Sequence, residues 1–224
     1  MMAFRRFFIH KTSEKTIENN ILADITNWIR SHLSRQVTII SPTQRQERGL
    51  GFDDLIEGLP PGLTVALQFK RPYSYDSSRY SNFAKFIIDT SQLQILLSRF
   101  NPAEAYYVFV PLPTTHEVIV NRSNLLNIGV ALDVYDVPNR TKTGQRTRVV
   151  RVTKSALVPS VQIADPRKFE SAKAGTLKDW CYSLENRDFF KKGIRSRDKD
   201  RKPSRIRDIY FIHISAERYH VELF

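Results

Sequence analysis

The sequence predicts an α/β protein in which a mixed β-sheet is flanked by helices, with additional basic β-hairpins toward the C-terminus. Three features support this fold class. A stretch with helical apolar spacing comes early, two short strand-like stretches follow it, and a second helical stretch leads into a near-continuous apolar strand. A helix followed by a buried strand is typical of a crossover, which joins parallel strands.

The composition is that of a folded protein. The chain has 224 residues, of which 41% are hydrophobic, and this favours one elaborated domain or a core with a small appendage. We place an α/β core at residues 1–165. Residues 166–224 are predicted to form a basic C-terminal extension that ends in a closing hairpin and packs on the core.

The first predicted helix covers residues 12–33, with Thr12 or Ser13 as its N-cap. Its apolar face consists of Ile17, Ile21, Ile25, Trp28 and Ile29. A short β-branched strand is predicted at residues 36–40, and residues 41–49 form a polar link.

Two neighbouring strands are predicted at residues 52–56 and 63–69, joined by a turn rich in Gly and Pro. Side chains alternate along a strand, so Gln68 and Lys70 share one face. The same alternation predicts that Asp54 points away from its neighbour Asp53.

The middle of the chain adds a second helix and further strands. After a link rich in Tyr and Ser, a helix is predicted at residues 91–100 and a buried strand at 105–110. Residues 125–130 fit either a helix or a strand. Strands at 131–137 and 147–152 are predicted to pair as a hairpin with a basic turn.

The remaining residues have a weaker pattern. A short helix is predicted near residues 177–184, and the charged segment 191–207 is expected to be an exposed loop. Strands at 209–214 and 219–224 alternate well enough to form the closing hairpin.

The cysteine content and hydropathy favour a cytoplasmic protein. The single cysteine, Cys181, excludes an internal disulfide framework and a multi-cysteine zinc cluster. The segment MMAFRRFFIHK lacks a long apolar run, and no stretch approaches ~18 consecutive apolar residues, so we expect no membrane segment.

The charge favours a polyanionic partner. Thirty-five Lys and Arg against 23 Asp and Glu give a net charge of +12, which attracts nucleic acid. A basic surface also serves solubility or binding to anionic lipid. No Gly-rich phosphate loop or dinucleotide motif is present, so use of ATP is not expected.

One set of residues has the chemistry of metal-assisted phosphodiester hydrolysis. Asp53 and Gln68 are 15 positions apart (68 minus 53), a spacing that a hairpin can bridge. The Asp53 carboxylate and the Gln68 amide oxygen suit Mg²⁺, with Mn²⁺ as a substitute. The Lys70 ammonium would position the attacking water and offset charge on the phosphate.

An acid on the first helix would complete such a site. Glu18 is the first candidate, and Glu14 lies one turn earlier on nearly the same face. An ordinary solvated helix face is the alternative interpretation of either glutamate.

The order of these features resembles the PD-(D/E)xK nuclease superfamily. An acidic helix, Gly51-Phe52-Asp53, a strand with Gln68-Phe69-Lys70, a helix and a buried strand follow one another within about residues 12–112. The Gln in place of the second acid is similar to that of Mrr-like restriction enzymes. The sequence departs from the usual pattern because no Pro precedes Asp53.

The resemblance implies a restriction-endonuclease-like fold with Glu18, Asp53, Gln68 and Lys70 as catalytic residues and with Asp53 and Gln68 at the metal. It further implies an endonuclease in restriction or antiviral defence, with DNA favoured over RNA as the substrate. A homodimer is considered because cutting both strands needs two sites, and a subunit of a larger defence complex is a further possibility. The alternative is a catalytically inactive module that binds nucleic acid or a protein partner.

Basic and aromatic residues outside this motif are candidate nucleic-acid contacts. The basic candidates are Arg71, Arg140, Lys142, Arg146, Arg148, Arg151, Lys191, Lys192 and Arg195. Each of them taken singly is also explained as solvated surface charge. Tyr73, Tyr75 and Tyr80 could stack on bases or form a packing lid.

Overall fold

A computed structural model of the chain describes residues 11–59, 63–75, 83–137, 146–153, 160–165, 168–172 and 174–184. The helices are α1 (Glu14–Leu33), α2 (Gln44–Leu50), α3 (Thr90–Arg99), α4 (Thr115–Val120), α5 (Leu125–Ile128) and α6 (Leu177–Ser183). The strands are β1 (Thr38–Ile40), β2 (Asp54–Glu57), β3 (Val65–Lys70), β4 (Ser74–Tyr75), β5 (Phe83–Asp89), β6 (Ala105–Phe109), β7 (Val130–Asp133), β8 (Thr147–Thr153), β9 (Val161–Asp165), β10 (Lys168–Ala172) and β11 (Gly175–Thr176).

The first helix forms as its sequence predicts. The Ser13 side chain accepts a hydrogen bond from the Thr16 N–H at 3.0 Å, which caps the N-terminus. Its apolar stripe, which includes Ile17, Ile21 and Ile25, is buried against the sheet. The prediction of this helix is confirmed.

A six-stranded sheet in the order β1-β2-β3-β6-β7-β11 forms the centre of the fold. Strands β1, β2 and β3 are antiparallel neighbours, whereas β3 and β6 are parallel. The predicted crossover between them is confirmed, and α3 lies within it. In the parallel register Gln68 lies opposite Tyr107 and Lys70 lies opposite Phe109.

A second sheet has the order β10-β9-β8-β5-β4, and all of its neighbours are antiparallel. Its inner face contributes Phe86, Val150 and Ile163 to a core shared with Tyr107 and Phe109 of the central sheet. The central sheet therefore has α1 and α6 on one face and the second sheet with α3 on the other. The fold class is mixed α/β with two sheets.

The predicted hairpin of residues 131–137 and 147–152 is wrong. Strand β7 pairs with β6 and β11 in the central sheet, whereas β8 pairs with β5 and β9 in the second sheet. An alternating pattern defines which side chains share a face but does not specify the partner strand. Here β7 and β8 pair with other strands and not with each other.

Several elements were not predicted. Helix α2 occupies the predicted polar link and buries none of its side chains, so it lacks the apolar stripe that marks a helix. Its start is instead defined by a capping box between Thr43 and Gln46. Helix α4 and the strands β4, β5, β9, β10 and β11 were also missed. Residues 125–130 divide into α5 and the start of β7.

The chain beyond residue 165 contributes to both sheets where it is described. Strand β10 forms a hairpin with β9, and β11 pairs with β7. The predicted helix at 177–184 is confirmed as α6, whose Trp180 and Cys181 lie in the core beside α1. The predicted loop at 191–207 and closing hairpin at 209–224 lie outside the described residues.

Among the described helices, none combines the length and the apolar character needed to cross a membrane.

A candidate active site at the end of strand β3

Asp53 lies immediately before β2 and reaches across to the end of β3. Its Oδ2 atom accepts hydrogen bonds from Gln68 Nε2 at 2.6 Å and from the Phe69 backbone N–H at 2.7 Å. The antiparallel pairing of β2 with β3 makes this contact possible, since the Asp53 N–H also bonds to the Leu67 carbonyl. The hairpin thus joins two of the candidate residues directly.

Lys70 lies at the end of β3 and is half-buried. Burial of Asp53 raises its pKa to about 6, and the nearby Glu14 acts in the same direction. The Lys70 charge and the hydrogen bonds from Phe69 and Gln68 oppose that rise. The Asp53 carboxylate is therefore mostly ionised at neutral pH, and the positive charge that stabilises its ionised form is that of Lys70.

The amide of Gln68 is held from two sides. Its nitrogen donates to Asp53, while its oxygen accepts a hydrogen bond from Gln92 Nε2 of α3 at 2.7 Å. Gln92 was not predicted as a site residue, because this contact joins positions 24 residues apart and no local pattern marks it. A chain of side-chain bonds therefore runs from Gln92 through Gln68 to Asp53.

Asp89 adds a second negative charge on this side of the sheet. It caps α3 by accepting hydrogen bonds from the backbone N–H groups of Ser91 and Gln92. Burial alone would raise its pKa, but those bonds, the Ser91 hydroxyl and the Lys70 charge together lower it. The positive charge of Lys70 thus interacts with the carboxylates of both Asp53 and Asp89.

Glu18 lies apart from these contacts, on the α1 side of the sheet. The residue is only 4% exposed, and its side chain accepts a hydrogen bond from Lys15 Nζ. Burial raises its pKa to about 7, Lys15 opposes the rise, and the Asp54 and Asp53 charges add to it. The charge of Asp53 therefore affects the Glu18 carboxyl, but Asp54 is the carboxylate with the larger effect on it.

Asp54 is fully buried and is the carboxylate that lies next to Glu18. Its Oδ1 atom accepts a hydrogen bond from the Ser41 hydroxyl, and its pKa is raised by burial. The prediction that Asp54 points away from Asp53 is confirmed, since it faces α1 and Glu18.

Glu14, the alternative helix acid, contacts the end of β3 instead. Its Oε2 atom accepts a hydrogen bond at 3.3 Å from the Arg71 backbone N–H, one residue beyond Lys70. The two helix glutamates therefore flank the candidate site in different ways, with Glu14 at its rim and Glu18 beneath it.

The candidate nucleic-acid contacts have different positions. Arg71 and Arg146 are exposed, whereas Arg148 is 2% exposed and lies on the inner face of β8 with Val150 and Val152. Arg148 therefore does not present its guanidinium on the surface, which corrects the expectation for that residue. The candidates that lie outside the described residues are Arg140, Lys142, Lys191, Lys192 and Arg195.

The site residues fit a hard divalent cation with few protein ligands. No cluster of three or more His, Cys, Asp or Glu side chains suited to a metal ion occurs in the described ranges. Mg²⁺ requires only one or two carboxylates, because it retains waters and binds phosphate oxygens. Reversal of the Gln68 and Gln92 amides together would keep their mutual bond and turn the Gln68 oxygen toward Asp53.

The residues that the structure brings together are Asp53, Gln68 and Gln92, with Lys70 beside them. Comparison of the chain with protein-family models, with curated proteins and with solved structures found no match. The geometry and electrostatics of these side chains are therefore the basis for a functional assignment.

Proposed function

We propose that the protein is a metal-dependent endonuclease of the PD-(D/E)xK type that hydrolyses phosphodiester bonds in nucleic acid, with DNA as the first candidate substrate. The observation that carries the proposal is the contact of Asp53 with Gln68 and the Phe69 N–H, next to Lys70. A carboxylate and an amide oxygen can hold a divalent cation, and an ammonium group can position water and offset phosphate charge.

The order of elements supports a restriction-endonuclease-like fold. Helix α1 is followed by the antiparallel strands β1, β2 and β3, and then by α3 and the parallel strand β6. This is the order of acidic helix, Asp strand, Gln-x-Lys strand, helix and buried strand on which the resemblance rests. The second sheet is additional to that core.

Each side chain has a distinct task in the proposed reaction. Asp53, with the Gln68 oxygen after amide reversal, would hold Mg²⁺, for which Mn²⁺ can substitute. When bound, the metal supplies Lewis-acid activation of water and neutralises charge on the phosphate. Lys70 orients the attacking water and stabilises the negative charge that develops on the phosphate oxygens.

A second candidate function is binding without cleavage. Gln68 directs its amide nitrogen toward Asp53, and this arrangement satisfies the carboxylate without a cation. A module of that kind would keep the fold to bind nucleic acid or a protein partner. A homodimer would suit the nuclease, since cutting both strands of a duplex requires two sites. A larger defence complex is compatible with either function.

Cleavage of plasmid and of circular single-stranded DNA by the purified full-length chain tests the proposal. The wild-type protein should nick or linearise DNA with Mg²⁺ or Mn²⁺, and EDTA should stop the reaction. Lys70→Ala should reduce cleavage by about 100-fold or more, because it removes a charge that acts on the transition state. Lys178→Ala on α6 is the matched control and should cleave like wild type.

Two results would contradict the proposed activity. If Lys70→Ala cleaved DNA as fast as wild type, the residues around Lys70 would not be the active site. Binding of DNA with no cleavage under either metal, by a protein whose preparation is free of EDTA, would favour the second function.

A further inference from the structure

The second sheet has an outer face on which no other described element packs. On β5, Ala84, Phe86 and Ile88 point into the core, so Lys85 and Ile87 point outward. Ile87 and Phe169 of β10 are among the exposed large hydrophobic residues of the described ranges. An exposed sheet face with aromatic and basic residues is a typical interaction surface.

A polar row crosses four strands of this face. The registers align Lys85 of β5, Arg151 of β8, Gln162 of β9 and Ser171 of β10. Neighbouring strands are ~4.8 Å apart, so the row is about 14 Å long. It contains two cations and no acidic residue.

An apolar row with a stacked cation lies beside the polar row. Ile87 is opposite Val149, and Ala164 is opposite Phe169. Phe169 is 36% exposed, and the Arg151 guanidinium carbon lies 3.7 Å from the centroid of its ring. An aromatic ring with an arginine over it offers both a stacking surface and a phosphate contact.

The outer face begins close to the candidate active site. Tyr73 follows Lys70 by three residues (73 minus 70), and its backbone N–H donates to the Lys85 carbonyl at 2.9 Å. The Tyr73 side chain is 43% exposed. A strand bound along the polar row would therefore end near Lys70.

We propose that the outer face of the second sheet, defined by Lys85, Arg151 and Phe169, binds a single strand of nucleic acid and leads it to the candidate active site. The net charge of +12 and the two cations of the polar row complement phosphates. Stacking on Phe169 requires unpaired bases, which a duplex does not offer. The substrate class in this inference rests on the proposed function.

Fluorescence anisotropy of the full-length chain in EDTA tests the inference, since no cleavage can occur. The probes are labelled oligo-dT, oligo-rU and a DNA duplex of equal length. We expect single strands to bind more tightly than the duplex, and the ratio of the two single-strand affinities identifies DNA or RNA. Phe169→Ala should weaken single-strand binding about tenfold, because a stacked base is lost.

Charge variants separate phosphate contacts from stacking. Arg151→Ala should also weaken binding, and Lys85→Ala should reduce the slope of log affinity against log salt concentration by about 0.7, the value for one phosphate contact to a single strand. Arg30→Ala on α1 and Ile119→Ala on α4 are matched controls on exposed positions and should bind like wild type. Unchanged melting temperatures would show that each variant is folded.

The inference is overturned if wild type binds no single strand, or if Phe169→Ala and Arg151→Ala bind as tightly as the controls. Failure of the proposed function has a different signature. Weaker binding by the outer-face variants, in a chain that never cleaves, would support this inference and reject the nuclease.

Discussion

Two consecutive carboxylates, Asp53 and Asp54, have opposite surroundings. Asp53 is half-buried and accepts hydrogen bonds from Gln68 and the Phe69 N–H on the side of the second sheet. Asp54 is fully buried on the α1 side, bound by the Ser41 hydroxyl and next to Glu18. Although the two residues are adjacent in sequence, the Asp53 carboxylate is accessible to a ligand and the Asp54 carboxylate is enclosed in the protein.

The comparison shows what strand alternation does to acidic pairs. Adjacent residues at the start of a strand project to opposite faces, so two carboxylates need not form one site. Burial raises the pKa of both, but only Asp53 has a lysine at the open end of β3 to offset its charge in a reaction. We expect chemistry on the Asp53 side and effects on stability on the Asp54 side.

Replacement of Asp53 should have the largest effect. Asp53→Asn is nearly isosteric but removes the carboxylate charge, so Mn²⁺ binding should be lost and cleavage should fall by about 100-fold or more. Mn²⁺ titration by calorimetry and plasmid cleavage measure the two losses. Asp54→Asn is the matched control, and loss of Mn²⁺ binding in that variant instead would reverse the assignment of the two faces.

Glu18 offers an intermediate effect, visible as a dependence of stability on pH. Its pKa rises from 4.5 to about 7 in the folded protein, so its contribution to stability is present below 4.5 and is lost as pH rises through 7. Glu18→Gln stays neutral and should be more stable than wild type at pH 8 by on the order of 1–3 kcal/mol. Urea unfolding at pH 4 and pH 8 measures the difference.

A Glu18→Gln protein that is no more stable than wild type at pH 8 would contradict the buried-pair interpretation. If cleavage also fell in a fully folded variant, Glu18 would act on the Asp53 side as well.

The smallest effect is expected at Gln92, which positions Gln68 without reaching the phosphate. Gln92→Leu removes a hydrogen bond worth about 1 kcal/mol, so cleavage should fall by roughly fivefold. Gln94→Ala, on the exposed side of α3, serves as its control. We expect the Mn²⁺ affinity to weaken in parallel, and a full loss of activity would indicate a direct role in the reaction.

The sequence predicted the elements that carry their own periodicity. Helix α1, strands β1, β2, β3 and β6 and helix α3 all have an apolar face or run that matches their length. The contact of Asp53 with Gln68 followed from hairpin spacing alone. Local patterns were therefore sufficient for the hairpin that holds the site.

Non-local pairing accounts for most of what was missed. The second sheet joins β5 to β8 across distant parts of the chain, and no local pattern encodes that choice. Arg148 is different, because alternation with Val150 and Val152 already indicated an inward side chain. Arg148 was predicted to contact nucleic acid because of its positive charge, although the alternation of the strand indicated an inward side chain.

The parallel pairing of β3 with β6 also has a consequence for folding kinetics. Lys70 and Phe109 are register partners 39 positions apart (109 minus 70), and Asp89 pairs with Thr147 at 58 positions (147 minus 89). Such contacts require closure of long loops before they can form, and this slows folding. The hairpin of β2 and β3 is local and can form early, whereas the support of Gln68 by Gln92 must await closure of the crossover.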